Sequence, residues 1–124
     1  MQLDVSKFQL DGEWLELRIK SKEGEKTLRI KLKPLSTEDQ LDMAEVGGKD
    51  IKEFFVNIKD VVLDWDLKTG EEALPCTDEN KKKYLPFLIT LKLAEDTEKE
   101  EGAKSIVGYK IMEFAQNFDN FIKN

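Results

Sequence analysis

Residues 61 to 86 read VVLDWDLKTGEEALPCTDENKKKYLP and bring the chain's single Cys together with spaced aspartates and a run of lysines. Asp64 and Asp66 flank Trp65, and two carboxylates at this spacing can open a calcium loop. Such a loop needs a further oxygen ligand at its fifth position, Gly at the sixth and Glu at the twelfth. Counting from Asp64, these positions hold Lys68, Thr69 and Pro75, so the pattern fails and the two aspartates read as solvated carboxylates beside a packed Trp. Cys76 precedes a helix start, where a thiol can become a reactive thiolate. It has no His to serve as base, because the chain contains none. A small, half-buried apolar side chain is the simpler reading. Lys81, Lys82 and Lys83 could touch phosphate, yet no aromatic stacking pattern accompanies them, and a solvated helix face accounts for them. Gly47-Gly48 lacks the spaced glycines and Lys of a phosphate loop and reads as a helix stop.

Composition narrows the function classes. Without His, Ser-His and Cys-His pairs are impossible and the common zinc ligand sets are missing. The net charge of −6 opposes binding to nucleic acid, whose affinity comes mainly from neutralised phosphates. With 26 Asp and Glu, no carboxylate pair stands out as an acid/base couple. The expectation is a non-enzyme with no catalytic residue, no cofactor, no metal, no nucleic-acid partner and no membrane association. A single Cys rules out an internal disulfide, the opening MQLDVSKFQL has no secretory-signal character, and no apolar run nears the roughly 20 residues that span a bilayer. A cytosolic location is therefore expected.

At 124 residues the chain has the size of one domain, able to bury about two thirds of its unfolded surface. Residues 1–34 read as strand-rich and 35–124 as mostly helical. In EWLELRIK, Leu15, Leu17 and Ile19 alternate with Glu16, Arg18 and Lys20, and in TLRIKLK, Leu28, Ile30 and Leu32 alternate with Arg29, Lys31 and Lys33. Gly24 lies between the two runs, which predicts a β-hairpin from about Glu13 to Lys33, ended by Pro34. Leu3, Val5, Phe8 and Leu10 suggest a further short strand. Beyond Ser36 the period shifts to helical. Ser36 and Thr37 cap one helix that stops at Gly47-Gly48, and Asp50 opens another that runs to about Lys59. VVLDWDL is either a short strand or an irregular arm. Lys68-Thr69-Gly70 is a turn, and Thr77 caps a helix with Asp78 and Glu79 in its first turn. Pro86 breaks or kinks that helix and starts a successor over FLITLKL, where a helix is preferred to a strand. AEDTEKEEGAK reads as a charged connector. From Gly102 onward, Val107, Ile111, Phe114, Phe118 and Phe121 step by helical spacings, widened by Ile106, Ala115 and Ile122, and predict one long amphipathic helix. The fold class is thus α+β: a small N-terminal antiparallel hairpin or sheet, then a mostly helical region.

Five residues stand out as core anchors or partner-binding residues: Val62, Trp65, Phe114, Phe118 and Phe121. A Trp among Val61, Leu63 and Leu67 is commonly a core anchor, and Trp is also enriched at binding hot spots.

Val62-x-x-Trp65, a Gly turn at Gly70, and Leu74-Pro75-x-Thr77-x-x-Asn80 form a stretch that resembles the tail assembly chaperones of long-tailed bacteriophages, the group similar to the lambda gpG protein. The matching residues are Val62, Trp65, Gly70, Pro75, Thr77, Glu79, Asn80 and Leu85. The motif covers about residues 62 to 88, and the general layout about 35 to 122. The resemblance implies a non-enzymatic protein of the bacterial host cytoplasm. It would bind the tape measure protein, help recruit tail tube subunits, and be absent from the mature virion; apart from the resemblance, the terminal apolar seam leaves a homo-oligomer open as a further partner state. The alternatives are another small phage tail or virion structural protein, or a small regulatory or enzymatic domain.

Overall fold

The computed structural model describes residues 2–36, 58–94 and 106–123. The helix expected from the Ser36-Thr37 cap to Gly47-Gly48, the first part of the one expected from Asp50 to about Lys59, the charged connector after Ala94, and a helix start just after Gly102 lie outside the described residues. The N-terminal hairpin is present: β1 (Glu13–Ser21) pairs antiparallel with β2 (Gly24–Leu32) from Glu13↔Leu32 to Ser21↔Gly24. Lys22 and Glu23 make the two-residue turn, and Gly24 takes a φ of 114°, a region open to glycine at little cost. Leu28, Ile30 and Leu32 are buried on one face, whereas Arg18, Glu25, Arg29 and Glu16 exchange exposed ion pairs on the other. Strict alternation makes one face core and one face solvent.

The sheet is larger than a hairpin. Residues 58–61 are helical and run straight into β3 (Val62–Trp65), which pairs antiparallel with β2 through Ile30↔Trp65 and Lys31↔Asp64. The open choice for VVLDWDL thus resolves as a strand, and the helical residues before it end at Val61, slightly past the expected Lys59. The register shifts before Leu32↔Val62, so Leu63 bulges outward toward Gly12. There Gly12 has a φ of 111°, and an added Cβ would lie 2.7 Å from Leu63 Cδ1 and 2.9 Å from the Leu32 carbonyl. A small second hairpin follows, β4 (Lys68–Thr69) with β5 (Glu72–Ala73), turning on Gly70 at a φ of 64°.

α1 (Asp78–Leu88) begins as expected, with Thr77 Oγ1 accepting from Asn80 N at 3.2 Å and two acids in the first turn. Pro86 does not break it at that point. Its missing N–H falls in the last turn, where only one helical bond is forfeited, and Leu85 beside it is fully buried. No successor helix forms over FLITLKL. Only Phe87 and Leu88 are helical; the chain then turns at Ile89-Thr90, and Leu93 bridges to Ile19 on the free edge of β1. Lys20 N donates to Lys92 O and Ala94 N to Arg18 O, both at 2.9 Å, so the unpaired edge of β1 outcompeted helical propensity. α2 (Val107–Gln116) has no side-chain acceptor at its N-cap Ile106. Its first amides instead find carbonyls left by the end of α1: Val107 N donates to Leu91 O and Gly108 N to Ile89 O.

Two further expectations fail. The N-terminal run is a 3₁₀ turn at Val5–Lys7 rather than a strand, capped by Asp4, whose carboxylate accepts from Ser6 N and Oγ and is held below its ordinary pKa by those bonds. Only Phe8 makes a bridge, to Ile122, while Leu3, Val5 and Leu10 face water. The long terminal helix is also absent. α2 stops at Gln116 because Asn117 adopts extended φ and ψ (−98°, 100°) and its side chain accepts from Asp119 N, starting a 3₁₀ turn at Phe118–Phe121. One buried cluster joins β1, β2, β3, α1 and α2, including Ile30, Val62, Trp65, Leu85 and Ile111.

Candidate interaction surface

Trp65 organises the central stretch. It is 5 % exposed, sits across from Ile30, and donates from Nε1 to the Leu74 carbonyl at 2.7 Å. That bond ties the end of β3 to the far end of the β4–β5 hairpin. Asn80 Nδ2 donates to the Pro75 carbonyl at 2.8 Å and ties the same hairpin to α1. The two aspartates around Trp65 have backbone duties. Asp66 Oδ1 accepts from Arg29 N at 2.9 Å, while Asp66 N donates to Arg29 O at 3.0 Å, closing the β2–β3 pair. Asp64 Oδ1 accepts from Trp65 N at 2.8 Å, so a carboxylate covers a donor on the outermost strand. Among the described residues no group of Cys, Asp and Glu is placed to hold a metal ion.

Cys76 is half-buried against the core, and its thiol is pushed up in pKa by that burial, with Lys81 opposing and Asp64 and Asp78 reinforcing. This is the small apolar role, not a reactive thiolate. Lys81 is not merely solvated: its Nζ donates to the Lys59 carbonyl at 3.3 Å, joining α1 to the helical residues before β3. Lys83 Nζ lies 5.3 Å from the centre of the Tyr84 ring.

The five singled-out residues separate into two places. Val62 and Trp65 are buried in the main core. Phe121 is fully buried, Phe114 and Phe118 are half-buried, and they form an aromatic group with Phe8 rather than a helical stripe. Phe114 meets Phe121 edge-on at 5.3 Å, Phe118 meets Phe8 edge-on at 4.8 Å, and Phe118 stacks on Phe121 at 6.3 Å. All five residues therefore pack within the fold.

The exposed apolar surface lies elsewhere. An open groove of about 480 Å³ runs between the β4–β5 hairpin and the outer side of α1, lined by Leu67, Leu74, Tyr84, Phe87 and Leu91 among others. Phe87 is 73 % exposed and Leu91 40 %. Tyr84, Phe87, Leu88 and Leu91 follow helical i, i+3, i+4, i+7 spacing, and that stripe was the signal available in the sequence. It was masked because FLITLKL alternates as well as it spirals. The groove offers apolar area of the kind that binding surfaces use. No family model, no curated protein and no solved structure matches this chain.

Proposed function

We propose that the chain is a non-enzymatic binding protein, and that its role is that of the tail assembly chaperones it resembles. It holds the tape measure protein and helps bring tail tube subunits to it, in the bacterial host cytoplasm, and it leaves before the virion is complete. The observation that carries this reading is the groove beside Phe87. Two residues of the resembling stretch, Gly70 and Leu74, line it; Trp65 holds Leu74 through its indole N–H, and Thr77 and Asn80 set the start of the helix that forms the other wall. A protein that shields a long apolar partner needs such a surface on a soluble body. The −6 charge suits that body.

The test is co-expression with the tape measure and tail tube proteins of the same phage. The tape measure protein should co-purify with the chain, and Phe87→Ala should abolish this without changing thermal stability. Purified phage particles should lack the chain. Its presence in them would favour a tail or virion structural component instead. Failure to co-purify either partner would sink the reading.

A further inference from the structure

The groove has a charge preference as well as an apolar floor. Among the residues lining it, Lys68 alone carries a charge. Lys83 stands one helical turn before Phe87 on the same side of α1, with its Nζ over the ring of groove-lining Tyr84. Among the described residues no ion pair engages Lys68 or Lys83. Both ammonium groups are thus available at the rim of an apolar groove, in a chain whose net charge is −6. Tyr84, Phe87 and Leu88 present one face of α1, Leu91 extends that wall past the helix end, and the hairpin supplies the opposite wall.

We propose that the groove takes an amphipathic helical segment of a partner protein whose apolar stripe is bordered by Glu or Asp. Its apolar face lies on Phe87, Leu91 and Tyr84, and its carboxylates meet Lys68 and Lys83. This rests on the reading of the chain as a binding protein and specifies the partner's chemistry. An acidic border makes the choice of occupant specific, because its carboxylates meet the two ammonium groups at the rim of this groove. A segment with a basic border meets like charge at Lys68 and Lys83 and is opposed at this groove.

The probe is a labelled synthetic peptide of about 18 residues, long enough for partial helix. It carries Leu and Phe at helical spacing with Glu on both borders, and its twin carries Lys in place of each Glu. By fluorescence anisotropy the full chain should bind the Glu peptide at least about tenfold more tightly than the Lys peptide at low salt, with the gap narrowing as salt screens it. The double change Lys68→Glu with Lys83→Glu should reverse the order, and Phe87→Ala should weaken both peptides. Both lysines and Phe87 are exposed, and circular dichroism melting verifies that each variant keeps its fold. Equal affinities, a preference for the Lys peptide, or binding indifferent to Phe87→Ala overturns the proposal. If the tape measure protein co-purifies through Phe87 while neither peptide shows a charge preference, the acidic-border inference fails alone. If the Glu peptide binds as described and no tail protein co-purifies, the assembly role fails and the binding site stands.

Discussion

Trp65 shows how much one side chain can settle. Its ring fills the core while its single polar atom reaches the Leu74 carbonyl, so Trp65→Phe keeps most of the apolar contact and strands a hydrogen-bond acceptor. Loss of that bond should lower stability by about 1 to 3 kcal/mol in urea titration, and Trp65→Ala by about 3 to 5 kcal/mol. A Trp65→Phe protein as stable as the parent would mean that water replaces the bond without cost. Cys76 gives a prediction of opposite kind. Burial raises its thiol pKa, so the folded state prefers the neutral thiol. Its contribution to stability is complete below the unfolded-state pKa, about 8.5, and is lost as pH rises through the higher folded value. Iodoacetamide should accordingly modify native Cys76 more slowly at pH 8 than the urea-unfolded chain, and a native rate matching the unfolded one would contradict its burial. The carboxylates beside Trp65 could not be interpreted from their spacing alone. Asp66 meets its partner, the Arg29 amide, only when β3 joins β2, and Asp64 turns back on the amide of the adjacent Trp65.

At the scale of elements, the aromatic group at the C-terminus divides into a buried member and two partial ones. Phe121→Ala should cost about 3 to 5 kcal/mol, whereas Phe118→Ala, half-buried at the rim, should cost clearly less. Thermal unfolding of the two variants side by side decides this, and equal losses would show that Phe118 is as much a core residue as Phe121. The hairpin was legible because alternation over β1 and β2 is long and Gly24 closes the turn between them. The cap at Thr77 was legible because hydroxyl and acids occur together where helix amides are free. The terminal helix was over-read: Phe118 and Phe121 keep apolar spacing across Asn117, and spacing does not register a side chain that bonds the backbone and ends the helix. FLITLKL was misread for a different reason. Its conformation is decided by an empty strand edge more than 70 positions earlier in the chain, at Arg18 to Lys20. The groove went unnoticed because its two walls come from separate elements, and exposure of Phe87 is a property of their packing.

Across the described residues as a whole, polar contacts between elements are mostly backbone or carbonyl bonds, and the ion pairs Arg18–Glu25, Lys26–Glu23 and Arg29–Glu16 are exposed and weak. Melting temperature should therefore change little between low and moderate salt, and a large fall on adding salt would reveal a missing electrostatic contribution. The same contacts tie the two ends of the described chain together. Gln9 N donates to Phe121 O at 2.6 Å, Lys123 N to Lys7 O at 2.8 Å, and Phe8 bridges Ile122. This seam has a consequence for folding kinetics. Residues so far apart in sequence meet only after a loop of nearly the whole chain has closed, an entropy cost that local pairs such as β1 with β2 avoid. The hairpin can therefore form early, and the Phe8–Phe118–Phe121 seam closes after the rate-limiting step. Phe121→Ala should then speed unfolding and leave the refolding rate nearly untouched, while a core change in the hairpin such as Ile30→Val should slow refolding. Stopped-flow denaturant series on both variants would reveal the order, and slowed refolding of Phe121→Ala would place the two ends together already at the transition state.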